Sequence, residues 1–311
     1  MKKWTVCAYA LAWCLTSCEN NPSREVDHSQ TSYTIRINIQ PHAQIEPFPD
    51  VKSIPDGIPH EPTLPTEKEF PFLFIEYAVY DLKADTLVHH YSLSKEYARD
   101  GEFGAHLYDT LQTGKYRLCF LAHSISERSP MDTKSFTFPR TGDIFYTSKD
   151  ITVDESIHDT PVEVLLKRKV SRVEFVPKDT LPEQSGKLQI IADKIYNTFN
   201  IYTGLASPLT ISLDTTIQFS KSVENNSPSL EYGFFTFVPE DNEMHLVKIN
   251  TYDNQNNLIR HREINQLPIY ENRITRYTMI LFHAPATEED FQIDLEIDEE
   301  WGEDIDRDIN D

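Results

Sequence analysis

The sequence predicts an all-β protein of two tandem β-sandwich domains behind an export signal. Short runs of alternating or continuous apolar residues recur about every ten residues, bounded by turn-forming residues. Few stretches follow a helical period, though Leu93 to Asp100 and Asp193 to Phe199 leave room for one. About 290 residues beyond the signal are too many for one small sandwich, so two of roughly 120 to 140 residues each are the natural division. The expected boundaries are 1–17 for the signal peptide, 18–32 for a tether, 33–168 and 169–286 for the sandwiches, and 287–311 for an acidic C-terminal strand and tail.

The leader has a positive start at Lys2 and Lys3, a short apolar run from Val6 to Leu15, and small residues before Cys18. It is too short to cross a membrane as a helix, which needs about 20 apolar residues. Leu15-Thr16-Ser17-Cys18 resembles the lipobox of bacterial lipoproteins. That resemblance implies cleavage before Cys18, diacylation of its sulfur and acylation of its new amine. Each buried methylene contributes about 0.8 kcal/mol, so two or three chains hold where one would be marginal. Glu19 to Ser32 is polar and aperiodic, a lipidated tether.

Tyr33 to Ile39 alternates, placing Tyr33, Ile35, Ile37 and Ile39 on one strand face. Pro41 to Pro71 carries eight prolines and reads as a long surface loop. Phe72 to Tyr80 is apolar almost throughout, as in a strand buried on both faces. Leu87 to Leu93 follows a turn containing Asp85. Gly114 is expected to supply a positive-φ turn before the strand that starts at Tyr116 and runs through Arg117 to Ala122. Ile151–Val153, Val162–Leu166 and Val170–Val176 continue the series across Lys167-Arg168-Lys169. The second half offers Leu188–Ala192, Ile211–Leu213, Gly233–Val238, Leu246–Tyr252, Leu258–Ile264 and Ile274–Phe282.

Thr287 to Asp311 holds thirteen acidic residues and one Arg, a net charge of −12. Within it Phe291, Ile293, Leu295 and Ile297 alternate with polar residues, which an acidic disordered tail does not require. Two readings stand: the strand closes its own domain, or it is donated to a partner's sheet edge.

Catalytic signatures are missing: there is no Gly-rich phosphate loop, Gly-x-Ser-x-Gly or His-Glu-x-x-His. A non-enzymatic role without cofactor or metal is expected. Strand alternation sends His89 and His90 to opposite faces, so the pair reads as solvent-facing rather than metal-binding. Asp304 to Asp308 resembles the start of a calcium loop, but Ile309 stands where that loop needs Gly. With Cys7 and Cys14 removed in the signal and Cys18 acylated, Cys119 is the remaining thiol; its apolar surroundings suit a buried, inert one. The net charge of −21, or −23 once Lys2 and Lys3 are gone, disfavours nucleic acid. Asp85-Thr86-Leu87, Asp109-Thr110-Leu111, Asp179-Thr180-Leu181 and Asp214-Thr215-Thr216 resemble the O-glycosylation sequon of exported Bacteroidetes proteins, making Thr86, Thr110, Thr180 and Thr215 candidate sites; Asp-Thr is also common in turns.

Taken in order, the lipobox, Leu111-x-x-Gly114-x-Tyr116, Gly142-Asp143-Ile144-Phe145-Tyr146 followed by Ile151-Thr152-Val153, Leu165 to Val173, and Asn272 to Tyr277 resemble the FimB-type fimbrial anchor and minor-subunit lipoproteins of Bacteroidales. The resemblance implies transthyretin-like sandwiches and a surface lipoprotein of the outer membrane, held by its N-terminal lipid. It also implies fimbrial shaft subunits as partners in assembly and adhesion. The Pro-rich insert and the acidic end depart from that pattern. The alternative is a surface glycan-binding lipoprotein, which should display aromatic platforms; Trp301 is the one Trp beyond the leader.

Cys18→Ala is expected to release the protein from the membrane or block its processing. Fatty-acid analogue labelling and membrane fractionation read this; an unlabelled wild type and unchanged membrane retention of the variant would contradict it.

Overall fold

The computed structural model describes residues 31–41, 72–97, 106–159, 161–219, 232–239, 245–283 and 293–298. Cys18, the tether up to residue 30, the Pro-rich stretch after Pro41, Phe291 and Trp301 lie outside the described residues. Within them the chain is all-β, with short 3-10 turns at Lys95–Tyr97 and Glu155–Asp159. The first eight strands are β1 (Ser32–Pro41), β2 (Phe74–Asp81), β3 (Thr86–Ser94), β4 (His106–Gln112), β5 (Gly114–His123), β6 (Ser135–Thr137), β7 (Ile144–Val153) and β8 (Val162–Arg168). The rest are β9 (Val170–Pro177), β10 (Ser185–Tyr196), β11 (Thr198–Asn200), β12 (Leu205–Ala206), β13 (Thr210–Gln218), β14 (Gly233–Phe237), β15 (His245–Asp253), β16 (Leu258–Leu267), β17 (Ile274–Met279) and β18 (Asp294–Asp298).

Seven strands form one folded-over sheet in the order β3-β2-β5-β7-β8-β1-β4. Its corner is at β7 and β8, joined by the pairs Phe145↔Arg168 and Tyr146↔Lys167. β1 runs antiparallel to β4 and parallel to β8. Its alternation turns Ile35, Ile37 and Ile39 inward, where they meet Ile75, Tyr77 and Val79 of β2 and Leu118, Phe120 and Ala122 of β5. The opposite faces of these central strands are apolar too. Ala78, Tyr80, Cys119, Leu121, Ile144 and Tyr146 belong to the core of the second half, which explains the unbroken apolar runs.

That second core lies between the sheets β13-β10-β15-β16 and β14-β9-β17-β18. Leu188, Ile190, Val247 and Ile249 of the first meet Val173, Phe175, Phe237 and Met279 of the other. A three-stranded sheet, β12-β11-β6, bridges the two sandwiches. Phe199 of β11 packs edge-on against Tyr146 at 5.1 Å and stacks on Phe237 at 5.0 Å. The Tyr146 hydroxyl donates to the Ile201 carbonyl at 2.9 Å. Where β8 hands over to β9, buried Arg168 grips Asp143 through two hydrogen bonds of 2.6 and 2.8 Å and lies over the Phe145 ring.

Several local expectations are corrected. Gly114 does not have a positive φ; it opens β5, and a Cβ there would stand 3.0 Å from the Tyr116 hydroxyl, so its role is to admit that ring. The described glycine at positive φ is Gly204 (74°), where a Cβ would approach the Tyr146 ring to 2.6 Å. The segment 193–199 is strand rather than helix, and Leu93 to Asp100 holds only the 3-10 turn among its described residues. β4 and β6 lacked a clear apolar signature, and β7 is one ten-residue strand where only Ile151–Val153 stood out.

Candidate functional site

β18 is an edge strand. It pairs antiparallel with β17 through five positions, Ile274↔Asp298 to Thr278↔Asp294, and no described strand lies on its other side. The four apolar residues were expected to share one buried face, and the described three are unequal. Ile293 packs against the second core, Ile297 is half-buried, and Leu295 is 50% exposed. An edge position explains this, because only one flank of the strand is covered.

Charge completes the attachment. Glu174, Arg276 and Glu296 form one register row across β9, β17 and β18. The Arg276 guanidinium donates to Glu174 at 3.0 Å and to Glu296 at 3.3 Å. Arg172 reaches the other oxygen of Glu174 at 2.7 Å. Lys178, just past β9, pairs with Asp294 at 2.5 Å. Burial alone would lower the Arg276 pKa; the carboxylates of Glu174 and Glu296 outweigh it and raise it above the ordinary arginine value. The approach to this edge is fixed by Asp179, whose carboxylate accepts the backbone N–H groups of Leu281, Phe282 and His283 at 2.8 to 2.9 Å.

The other candidates are dispersed. Thr86, Thr110 and Thr180 are exposed, on β3, on β4 and after β9, while Thr215 on β13 is half-buried. His89 and His90 do take opposite faces, yet neither simply faces solvent. His89 lies 2.8 Å from Asp109 across the open side of the first sandwich, where Asp109 also accepts the Tyr77 hydroxyl at 2.8 Å. Cys119 is fully buried, and burial pushes its thiol pKa up to about 12, so it is no nucleophile.

His90 belongs to a cluster that sequence reasoning missed. Glu76 of β2 is fully buried. Its carboxylate takes His90 Nε2 at 2.7 Å, the Ser92 hydroxyl at 2.9 Å and Arg128 Nε at 2.8 Å. His123 Nε2 stands 3.5 Å away, a longer and weaker contact than these three. Burial alone would raise the Glu76 pKa; His123, His90 and Arg128 reverse this and hold it well below the usual carboxylate range. Arg128 lies on the segment that leads from β5 to β6, so the cluster straps the bridging sheet to the first sandwich. The available signal was Glu76 itself, the one charge inside the apolar run Phe72 to Tyr80.

A family model described as a family of unknown function (DUF6562) matches residues 130–311. No curated protein matches the chain. Among solved structures, it is similar to the fimbrial anchor protein Mfa2 from Porphyromonas gingivalis, at 10% identity over 86% of this chain and 97% of that one, with a TM-score of 0.46. A fimbrial assembly protein from Parabacteroides distasonis gives 11% identity, coverages of 86% and 99%, and a TM-score of 0.43. The tip fimbrial protein Mfa3 from Porphyromonas gingivalis, truncated at its C-terminus, gives 10% identity, coverages of 86% and 98%, and a TM-score of 0.41.

The Glu76 cluster yields a stability prediction. Its folded carboxyl is more acidic than its unfolded one, so its contribution is present above the ordinary carboxylate pKa of about 4.3 and fades as pH falls below it. Arg128→Ala should cost about 3–5 kcal/mol at neutral pH by leaving a buried carboxylate without its cation. The penalty should shrink as pH falls below about 4.3, because Glu76 in the variant takes a proton at a pH where Glu76 in the wild type still stays ionised. Urea melts on both sides of that pH check it; a neutral-pH loss under about 1 kcal/mol would contradict it.

Proposed function

We propose that this chain, which belongs to the family of unknown function DUF6562, is a non-enzymatic cell-surface lipoprotein that serves as a fimbrial anchor or minor subunit in assembly and adhesion. Cys18 would hold it to the outer membrane by lipid, and fimbrial shaft subunits would be its partners. The observation that carries this reading is the attachment of β18, a strand bound along one flank by five register pairs and a few ion pairs. A strand held so lightly can leave its own sheet for the edge of a neighbour, and the vacated edge then offers unpaired backbone groups to an incoming strand. The sequence resemblance to fimbrial anchor and minor-subunit lipoproteins supports the same class.

The two sandwiches, taken as 33–168 and 169–286, would divide the labour. The first follows the lipidated tether and faces the membrane, and the second presents the exchangeable edge. Antibody against the chain should detect it in fimbriae sheared from intact cells, and a strain lacking it should shed or shorten those fimbriae. Fimbriae free of the protein and unchanged in the deletion strain would overturn the proposal.

A further inference from the structure

Each sandwich places a terminal strand in parallel register with the strand that leads through the junction. β1 opens the first sandwich and runs parallel to β8 from Ile37↔Val162 to Pro41↔Leu166. One residue, Lys169, separates β8 from β9. β9 then runs parallel to β17 from Ile274↔Arg172 to Met279↔Pro177. In a parallel pair the start of one strand and the end of its partner lie at opposite ends of the ladder. Tension drawn between the start of β1 and the end of β8 therefore crosses every backbone hydrogen bond sideways, and the bonds share it. The same holds between the start of β9 and the end of β17. β18 differs. It is antiparallel to β17 and finishes at Ile274↔Asp298, beside the start of β9, so a pull on its far end opens the pairs one at a time.

The chain just past β17 is gripped where such tension would enter. Thr251 of β15 donates its hydroxyl to the Leu281 carbonyl at 2.5 Å. From β16, Arg262 Nε donates to the Ile280 carbonyl and Arg260 Nη1 to the His283 carbonyl, both at 3.2 Å. Asp179 accepts the amides of Leu281, Phe282 and His283. Arg260 and Arg262 are only 3% and 5% exposed, an uncommon burial for arginine, and on an edge strand. Their place is explained as clasps on a segment that lies outside every described ladder.

We propose that the fold is a tension clamp. Load between the start of β1 and the end of β17 is carried in shear by the β1–β8 and β9–β17 ladders. Asp179, Thr251, Arg260 and Arg262 form the clasp at the loaded end, and β18 peels first, at low force. The proposal rests on the anchor reading above, in which the chain stands between a membrane and a filament and is stretched between its ends; it adds how that stretch is borne.

Single-molecule pulling on the full chain tests this along two axes. Handles at Thr31 and Asp311 load the chain end to end. Handles at Thr31 and Gln112 form the control, because Ser32 and Gln112 face each other across antiparallel β1 and β4, so this axis unzips the same β1 from its start. End-to-end traces should show a first low-force step that frees residues 284–298, up to about 50 Å of chain. The main rupture should then come at a force at least about twofold above the control, since forced unfolding reads the unfolding barrier along the pulled axis. Asp179→Asn should lower the force of the event that frees residues 169–283, recognised by its length, and leave the control axis unchanged. Should that variant fail to fold, Arg260→Lys, which shortens the reach to the His283 carbonyl, repeats the comparison. An equal loss on both axes would mark general destabilisation and overturn the clasp. Equal rupture forces for the wild type on the two axes, or no early step, would overturn the clamp while leaving the anchor reading to its own test on sheared fimbriae.

Discussion

The packing of Phe136, Phe138 and Phe199 between the two sandwiches is the constraint from which the rest of the molecule follows. β2, β5 and β7 carry apolar side chains on both faces, so the first sandwich cannot satisfy itself alone. Each large side chain left in water would forfeit roughly 1.5–3 kcal/mol. The bridging sheet covers that outer face, with Phe136 near His90, Phe138 near His123 and Phe199 on Tyr146, and its aromatic rings continue to Phe237 in the second sandwich. Tyr202 extends the junction, lying edge-on to Tyr80 and receiving both Arg117 and Lys134 over its ring. The halves are thus joined through a continuous core rather than by a bare linker.

Much of this was legible where one side-chain period dominates. The alternation of Tyr33 to Ile39 places β1, and the unbroken run Phe72 to Tyr80 announces a strand buried on both faces. The buried character of Cys119 follows from its neighbours. What the sequence hid was non-local. Nothing near Arg128 reveals that it neutralises Glu76, fifty-two residues away. Gly114 looked like a turn residue because a glycine before a strand usually is one, but its missing side chain serves the Tyr116 ring. The even alternation at Ile293, Leu295 and Ile297 suggested equal burial, whereas an edge position covers its residues unequally.

The sheet edges differ in how they meet water. β3 carries a bulge between the pairs Val79↔His89 and Tyr80↔Leu87, and β4 turns the Asp109 carboxylate inward to His89 and Tyr77. Bulges and inward-pointing charges both discourage a foreign strand from adding to an edge. β18 has neither device, and its charges point to cations of its own sheet. Non-specific pairing is opposed by its acidity. Ion pairs on a partly exposed strand are individually weak, so the hold on β18 is modest beside that on the buried strands.

The central claim is that β18 detaches while the sandwiches stay folded, and native-state hydrogen exchange of the wild-type chain tests it most directly. The account predicts that amides of β18 bonded to β17 exchange through a local opening, orders of magnitude faster than amides of β9 and β10, and with little dependence on low denaturant. Exchange of β18 at the same rate as β9, with the same denaturant dependence, would make the strand an integral part of the cooperative core and contradict the account.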